Sequence, residues 1–172
     1  MFIDLVRKRR SIRKFMDRPV EQDKVDLLIE TALRAPSSRG FNPWQFVVVR
    51  DPETLGHLSK AKPHGASFLR DAPLAIVVCA DPRKSDVWIE DASIAAIMLH
   101  LAATDLGLGS CWIQIRLRDH DPQRRAGAYV SELLDIARSL EVVSIIAIGY
   151  PGEQKESHAA DSLQYDKAIR HS

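Results

Sequence analysis

The sequence predicts one α/β or α+β domain in which helices cover both faces of a central sheet. The 172 residues fit a single domain, and 45% hydrophobic with 27% charged residues is typical of a folded chain rather than a disordered one. Segments with helical periodicity alternate with four short apolar runs of the kind found in buried strands. Because the connections are of helical length, tight hairpins are not expected and several strands could be parallel.

In the first half of the chain, predicted helices cover residues 3–10, 20–36 and 52–61, and predicted strands cover residues 44–50 and 73–80. The stretch 20–36 repeats apolar residues at spacings of three and four, which predicts an amphipathic helix that ends near Pro36. Residues 44–50 are β-branched and aromatic, whereas 73–80 is a continuous apolar run. The second strand is therefore expected to be covered on both faces.

In the second half, predicted helices cover residues 86–106 and 122–140, and predicted strands cover residues 110–115 and 142–150. The first of these helices has an apolar face of small residues, so a neighbouring helix can approach it closely. It is expected to end at Gly107. Residues 151–172 are polar and patternless, and we expect them to form a C-terminal extension along the surface of a single domain spanning 1–172.

Composition and charge exclude several classes of protein. The net charge of +1 gives no global attraction to nucleic acid or membranes, and no apolar run approaches the length of a membrane span. The N-terminus is apolar and then basic, the reverse of a signal peptide. Cys79 and Cys111 lie in apolar runs and are expected to be buried free thiols in a reducing compartment, so we expect a cytoplasmic protein.

The common catalytic and nucleotide-binding motifs are absent. The G-x-G at 107–109 follows a helix and precedes a strand, which is the wrong context for a dinucleotide fingerprint. No P-loop or G-x-S-x-G motif occurs, and the six histidines share no metal-ligand spacing. We therefore expect neither a metal site nor a nucleophilic catalytic side chain.

The basic run at residues 7–18 carries seven positive charges among twelve residues. Ser11 lies among Arg9, Arg10 and Arg13. Guanidinium groups bind phosphate oxygens through paired, charge-assisted hydrogen bonds, and a hydroxyl adds a short neutral one. A bound phosphate monoester is therefore favoured over a solvated face. A nucleic-acid patch stays open as the alternative, although no aromatic platform is interleaved.

A second unusual segment, a polar turn at residues 36–43, links a predicted helix to a predicted strand. It contains Ser37, Ser38, Gly40 and Asn42 and leads into Pro43-Trp44. Turn formation alone explains these residue types. An exposed, polar turn beside Trp44 would equally suit a flat heteroaromatic ring.

Four segments in order resemble the FMN-dependent nitroreductase family from about residue 5 to 152. They are R-R-S-I-R-K-F, A-P-S-S-x-x-x-N-P-W-Q-F, D-A-S-I-A-A…L-A-A-x-x-L-G-L-G-S-C-W-I and I-A-I-G-Y-P. Each segment alone is weak evidence for a family relationship, but four segments in the same order are specific evidence. The resemblance implies an α+β, nitroreductase-like three-layer sandwich with a central mixed sheet, and an intertwined homodimer with two FMN sites at its interface.

The resemblance also implies three groups of FMN contacts. Arg9, Arg10, Ser11 and Arg13 would hold the phosphate and the pyrimidine side of FMN. The partner subunit would place Pro36, Ser37, Ser38 and Gly40 against the ring, with Asn42 and Gln45 supporting the turn or the ring edge. The strand at Trp112, Ile113 and Gln114 would run beside the reactive N5 side of FMN and contact it through backbone N–H groups.

Three departures from the family accompany these expectations. Many members carry a basic pair after the G-Y-P segment, and here Lys155 is the only nearby candidate. The loop around His64 lacks the expected polar ring-binding residues, and the short chain leaves no room for an inserted lid. The predicted helix 86–106 would form much of the dimer interface, although its small-residue face fits a core helix equally well.

The function implied by the resemblance is that of an FMN-dependent NAD(P)H oxidoreductase. NADH or NADPH would donate hydride, and a nitroaromatic, quinone or similar small acceptor would receive it in a ping-pong cycle. Arg13 would favour the reduced flavin by its charge. Two alternatives stay open: a non-enzymatic phosphate- or nucleic-acid-binding protein, and a family member that is specialised for another flavin reaction or binds FMN poorly.

Overall fold

The structure, a computed structural model, describes residues 1–171 and contains within them five α-helices and four β-strands. The helices are α1 (Phe2–Lys8), α2 (Gln22–Leu33), α3 (Pro52–Leu58), α4 (Trp88–Asp105) and α5 (Ala126–Leu133). The strands are β1 (Trp44–Val49), β2 (Leu74–Ala80), β3 (Gly109–Gln114) and β4 (Glu141–Gly149). No helix in this part of the chain has both the length and the apolar content needed to cross a membrane.

The four strands form one sheet in the order β1-β2-β4-β3, and every neighbouring pair is antiparallel. This corrects the expectation of a mixed sheet. The one parallel pairing among residues 1–171 is an isolated bridge between Ser11 and Ser110. The connections through α3 and α5 each return the chain to a neighbouring strand in the opposite direction, because a long connection permits a parallel return without requiring one.

Helices cover both faces of the sheet, so the predicted three-layer arrangement is confirmed. Alternate side chains of the central strands point to opposite faces. Val77 and Ile145 pack towards α3 and α5, whereas Ile76 and Ile146 pack towards α2 and α4. β2 and β4 occupy the middle of the sheet, which explains why their sequences are almost continuously apolar.

Helix α5 is much shorter than the predicted helix over 122–140. At its start, the backbone N–H of Gln123 donates to the Asp121 carboxylate, and this turn uses residues that were assigned to the helix. At its end, Asp135 adopts a left-handed conformation with φ of 50°. The later residues Ile136 and Leu140 still pack on the core, so their apolar spacing reflects burial in a turn rather than a continuing helix.

The sheet has two ends that matter for the site. Trp44 of β1 and Gln114 of β3 lie at one end, and Val49 of β1 and Gly109 of β3 lie at the other. The turn 36–43 enters β1 at the first end. The basic segment runs beside the start of β3 at the second end, where Ser11 bridges Ser110.

Candidate functional site

The basic segment is held against β3 by a close backbone contact. The N–H of Ile12 donates to the Ser110 carbonyl at 3.0 Å, and the Ile12 side chain is buried. A Cβ atom on Gly109 would lie only 2.8 Å from that side chain. Glycine at 109 therefore permits the approach that fixes Arg9 and Arg13 on either side of Ser11.

Two arginines of this segment are half-buried without a carboxylate partner. Neither Arg9 nor Arg10 forms a salt bridge within residues 1–171. Arg124, which is also half-buried, pairs with Glu132. Arg10 donates to the backbone carbonyl of Glu156. Guanidinium groups bind anions through charge-assisted hydrogen bonds, and without a carboxylate partner Arg9 and Arg10 have the capacity to bind one.

Lys155, the one candidate for the basic pair found in many family members, contacts the basic segment. Its Nζ atom donates to the Ser11 carbonyl at 2.7 Å and lies 3.3 Å from the Glu153 carboxylate. The same carboxylate accepts the N–H of Arg13 at 2.6 Å. That hydrogen bond is the main cause of a lowered Glu153 pKa, with Lys155 adding to it. Glu153 was not singled out from the sequence, and it orders the segment while offsetting one of the positive charges.

A buried histidine supports the same segment from the core. His100 of α4 lies with its Nδ1 atom 2.7 Å from the Ser110 hydroxyl. Burial, with a smaller contribution from the charge of Arg9, lowers the pKa of His100 to about 4. The imidazole is therefore neutral near pH 7 and stabilises the residue whose carbonyl receives the Ile12 N–H.

Lys62 is a further positively charged residue, and the sequence did not point to it. It is half-buried in the loop that was expected to lack ring-binding polar groups. Burial lowers the pKa of Lys62, and the nearby charge of Arg118 lowers it further. On the same side of the molecule, the Arg13 guanidinium lies 5.9 Å from the centre of the Phe68 ring. A lone lysine in a loop carries no pattern, so only the three-dimensional structure identifies it.

Both cysteines are buried free thiols, as expected. Burial raises the pKa of Cys79 to about 12, and burial also raises that of Cys111. Neither environment favours a reactive thiolate. Among residues 1–171, no three histidine, cysteine, aspartate or glutamate side chains come together as potential metal ligands.

The turn 36–43 has an unusual and well-supported backbone. Arg39, Gly40 and Asn42 all have left-handed conformations, with φ of 53°, 69° and 46°. Ser37 fastens the turn, since its hydroxyl donates to the Asn42 side-chain oxygen at 2.8 Å and accepts the Asn42 N–H at 3.0 Å. Pro36 and Gly40 are exposed, and so is Gln45 at the start of β1.

A buried carboxylate fixes this turn to α4. Asp91 is only 2% exposed and accepts hydrogen bonds from the Ser38 N–H and the Ser85 hydroxyl, each at 2.8 Å. Next to it, Trp44 packs against Ala95. Asp91 was not predicted from the sequence, because its bond to Ser38 joins residues 53 positions apart.

The side chains of the third predicted group are largely engaged within the chain. Ile113 is buried in the core. The Trp112 indole donates to the Gln114 amide oxygen at 3.0 Å, and the Gln114 amide nitrogen donates to the Arg116 carbonyl at 2.8 Å. As β3 is an edge strand, alternate backbone N–H groups point away from β4. The basic segment bridges β3 at Ser110, so the outward-facing N–H groups nearer Gln114 are the candidates for contact with a ligand.

The arginine segment and the turn 36–43 occupy opposite corners of the sheet. Three strand spacings separate β1 from β3, about 14 Å, and a six-residue strand adds about 17 Å along its length. Helices cover both faces between these corners. A single chain therefore does not bring the predicted phosphate contacts and the predicted ring contacts into one pocket.

Comparison with known proteins agrees with the motifs. The model of the nitroreductase family matches residues 6–64 and 56–150. A protein from Archaeoglobus fulgidus with the provisional name NADH dehydrogenase/NAD(P)H nitroreductase is 37% identical over 163 residues, covering 92% of this chain and 90% of the relative. An NAD(P)H FMN reductase from Bacillus subtilis is 28% identical over 166 residues, covering 84% of this chain and 64% of the relative.

The same relationship is found among solved structures. An FMN-dependent nitroreductase from Clostridium difficile R20291 superposes with a TM-score of 0.97 at 47% identity, covering 99% of both chains. The sequence segments, the three-layer fold and these similarities agree over nearly the whole chain, which therefore belongs to the nitroreductase family.

Proposed function

We propose that this chain is an FMN-dependent NAD(P)H oxidoreductase that works as a homodimer, with each FMN held between two copies. The observation that carries the proposal is the separation of the two predicted contact groups within one chain. A second copy can supply its turn 36–43 to the arginine segment of the first, so two chains complete two equivalent sites. The names of the relatives support the cofactor and the nicotinamide donor.

The residues at β3 fit the phosphate of FMN. Arg9 and Arg10 offer half-buried guanidinium groups without carboxylate partners, and Ser11 lies between them and Arg13. Lys155 adds a fourth positive charge, and the Glu153 carboxylate offsets one of the four. This donor set suits a phosphate dianion, which favours multiple charge-assisted hydrogen bonds.

The chain would also hold and tune the ring. Arg13 and Lys62 would place positive charge on its pyrimidine side, and the backbone N–H groups of β3 near Ile113 and Gln114 would meet the N5 side. When bound, FMN would supply hydride transfer between NADH or NADPH and a small acceptor such as a nitroaromatic or a quinone. No side chain is required as a catalytic acid or base.

The partner's turn 36–43 would cover the ring. Its positive-φ residues and its attachment to Asp91 give it one fixed shape before any ligand arrives. A rigid turn loses little conformational entropy on binding, so Pro36, Ser37, Ser38 and Gly40 can exclude water from the ring at low cost. Asn42 would hold the turn, and Gln45 would support its edge.

The first test is a visible absorption spectrum of the purified protein, repeated with added FMN and then with NADH or NADPH under anaerobic conditions. We expect flavin bands that bleach when the nicotinamide is added. A protein that stays colourless and takes up no FMN would overturn the proposal. Steeply salt-dependent binding to DNA by that colourless protein would then favour the nucleic-acid alternative.

A further inference from the structure

We propose that Arg39, together with Phe41, makes the site selective for planar aromatic acceptors that carry a carboxylate or another anionic group. The inference rests on the proposed function, since it concerns the acceptor that the flavin site receives. Arg39 and Phe41 lie in the turn 36–43 but are not among its proposed contacts with the flavin ring. The inference gives these two residues a role.

Arg39 and Phe41 form a cation–aromatic pair on the outside of the turn. The Arg39 guanidinium lies 5.7 Å from the centre of the Phe41 ring, and both side chains are exposed. Phe41 is 43% exposed, so its ring is accessible to a ligand. Within residues 1–171, Arg39 forms neither a salt bridge nor a side-chain hydrogen bond to a carboxylate.

The backbone holds this pair in place at an energetic cost. Arg39 has a left-handed φ of 53°, a conformation that L-residues other than glycine, asparagine and aspartate rarely adopt. The bonds of Asp91 to Ser38 and of Ser37 to Asn42 enforce it on either side. Residues held in a strained backbone conformation by their surroundings cluster at binding sites. The conformation of Arg39 therefore favours a role in binding.

The pair has the chemistry to recognise an aromatic anion. A guanidinium binds a carboxylate through two parallel hydrogen bonds, and an exposed ring offers a stacking surface for a second aromatic group. In the proposed dimer the turn lies against the partner's flavin, so Arg39 and Phe41 would stand at the mouth of the acceptor space. A negative group on the acceptor would meet Arg39 while its aromatic body lies over the flavin.

The test compares two acceptors of the same size and ring, 4-nitrobenzoate and the neutral 4-nitrobenzamide, with the FMN-loaded homodimer and NADH or NADPH as donor. The variants are Arg39→Gln, which removes the charge, and Arg39→Lys, which keeps it. Arg34→Gln is the control, because Arg34 is an exposed arginine at the end of α2, just before the turn, that pairs with Glu30 at 2.7 Å.

We expect wild type to prefer 4-nitrobenzoate. Arg39→Gln should lower kcat/KM for 4-nitrobenzoate about 10-fold, mainly through KM, because one charge-assisted contact is lost. The variant should leave 4-nitrobenzamide within about 2-fold of wild type, Arg39→Lys should keep most of the preference, and Arg34→Gln should behave like wild type.

Equal losses for both acceptors in Arg39→Gln would indicate a purely structural role and overturn the inference. So would a wild type that shows no preference for the anion, or a variant that retains it. These outcomes still describe a working reductase and leave the proposed function standing. A protein that binds no FMN and reduces neither acceptor would overturn both proposals together.

Discussion

At the scale of single residues, His100 makes a testable contribution to stability. Its pKa is lowered to about 4 in the folded chain, because burial disfavours the charged imidazole. In the unfolded chain the pKa returns to about 6.5. Folding therefore releases the proton that the unfolded state would bind, and the stability from this group is present above about pH 6.5 and is lost as the pH falls towards 4.

For His100→Asn we predict a weaker pH dependence of unfolding. Between pH 7 and pH 5 the free energy of unfolding of wild type should fall by about 2 kcal/mol more than that of the variant. Urea unfolding at one protein concentration measures this. His158→Asn is the control, because it makes the same substitution at an exposed position. An identical pH dependence in wild type and His100→Asn would show that His100 is not buried neutral.

At the scale of elements, the docking of the basic segment on β3 depends on the absence of a side chain at Gly109. In Gly109→Ala the new Cβ would lie 2.8 Å from the Ile12 side chain, so the segment carrying Arg9 and Arg13 must shift. We predict a loss of about 1–3 kcal/mol of stability and at least about 10-fold weaker FMN binding.

The matched control for this change is Gly127→Ala in α5. A Cβ on Gly127 meets no atom within 4 Å, and alanine favours helix, so stability should stay level or rise by up to about 1 kcal/mol. Urea unfolding and FMN titration of both variants provide the measurement. Combining Gly109→Ala with Ile12→Gly, which removes the Cβ and both Cγ atoms that the new Cβ would meet, should recover part of the lost FMN affinity, and no recovery would count against the close-contact explanation.

The attachment of the turn 36–43 to α4 gives a second prediction at this scale. Asp91→Ala leaves the buried Ser85 hydroxyl and the Ser38 N–H without an acceptor and should cost about 3 kcal/mol. Asp91→Asn should cost much less, since its amide can still accept from Ser38 and donate to Ser85. Faster hydrogen exchange at the Ser38 amide should accompany the alanine variant. Glu90→Ala, at an exposed neighbouring position, should change neither quantity.

The elements also show what the sequence can and cannot predict. Apolar periodicity located eight of the nine helices and strands closely. It failed at α5, where Ile136 and Leu140 keep an apolar spacing outside a helix. Strand direction was not predictable, because a connection of helical length is compatible with either sense.

For the site, the arginine cluster was visible because its residues are adjacent in sequence. The residues that hold the cluster and the turn in place could not be predicted from the sequence. Glu153 lies 140 positions from Arg13, and Asp91 lies 53 positions from Ser38. Contacts of this length arise only when the sheet brings distant segments together, and a charged residue in a loop or helix looks solvated until its burial is known.

At the scale of the whole molecule, apolar side chains on one helical layer remain uncovered. Phe2 of α1 is 69% exposed and Ile97 of α4 is 44% exposed, and Ile3, Val6, Leu27 and Ile94 add to the same layer of helices. A groove of about 460 Å³ between α1 and α4 is lined by further apolar residues, including Leu5 and Leu101. Monomers seldom expose apolar surface of this kind, which supports burial of this layer against a second copy.

The last prediction joins this surface to the cofactor. Ile97→Glu would place a charge in the proposed interface, so we expect monomers by light scattering and at least about 100-fold weaker FMN binding, because a lone chain lacks the partner's turn 36–43. Ala128→Glu, an exposed change on α5 in the opposite layer, should leave the dimer and its FMN intact. An Ile97→Glu variant that stays dimeric would rule out this layer as the interface. A monomer that binds FMN as tightly as wild type would instead mean that one chain holds the cofactor alone, and the opposite corners of the sheet would then need another explanation.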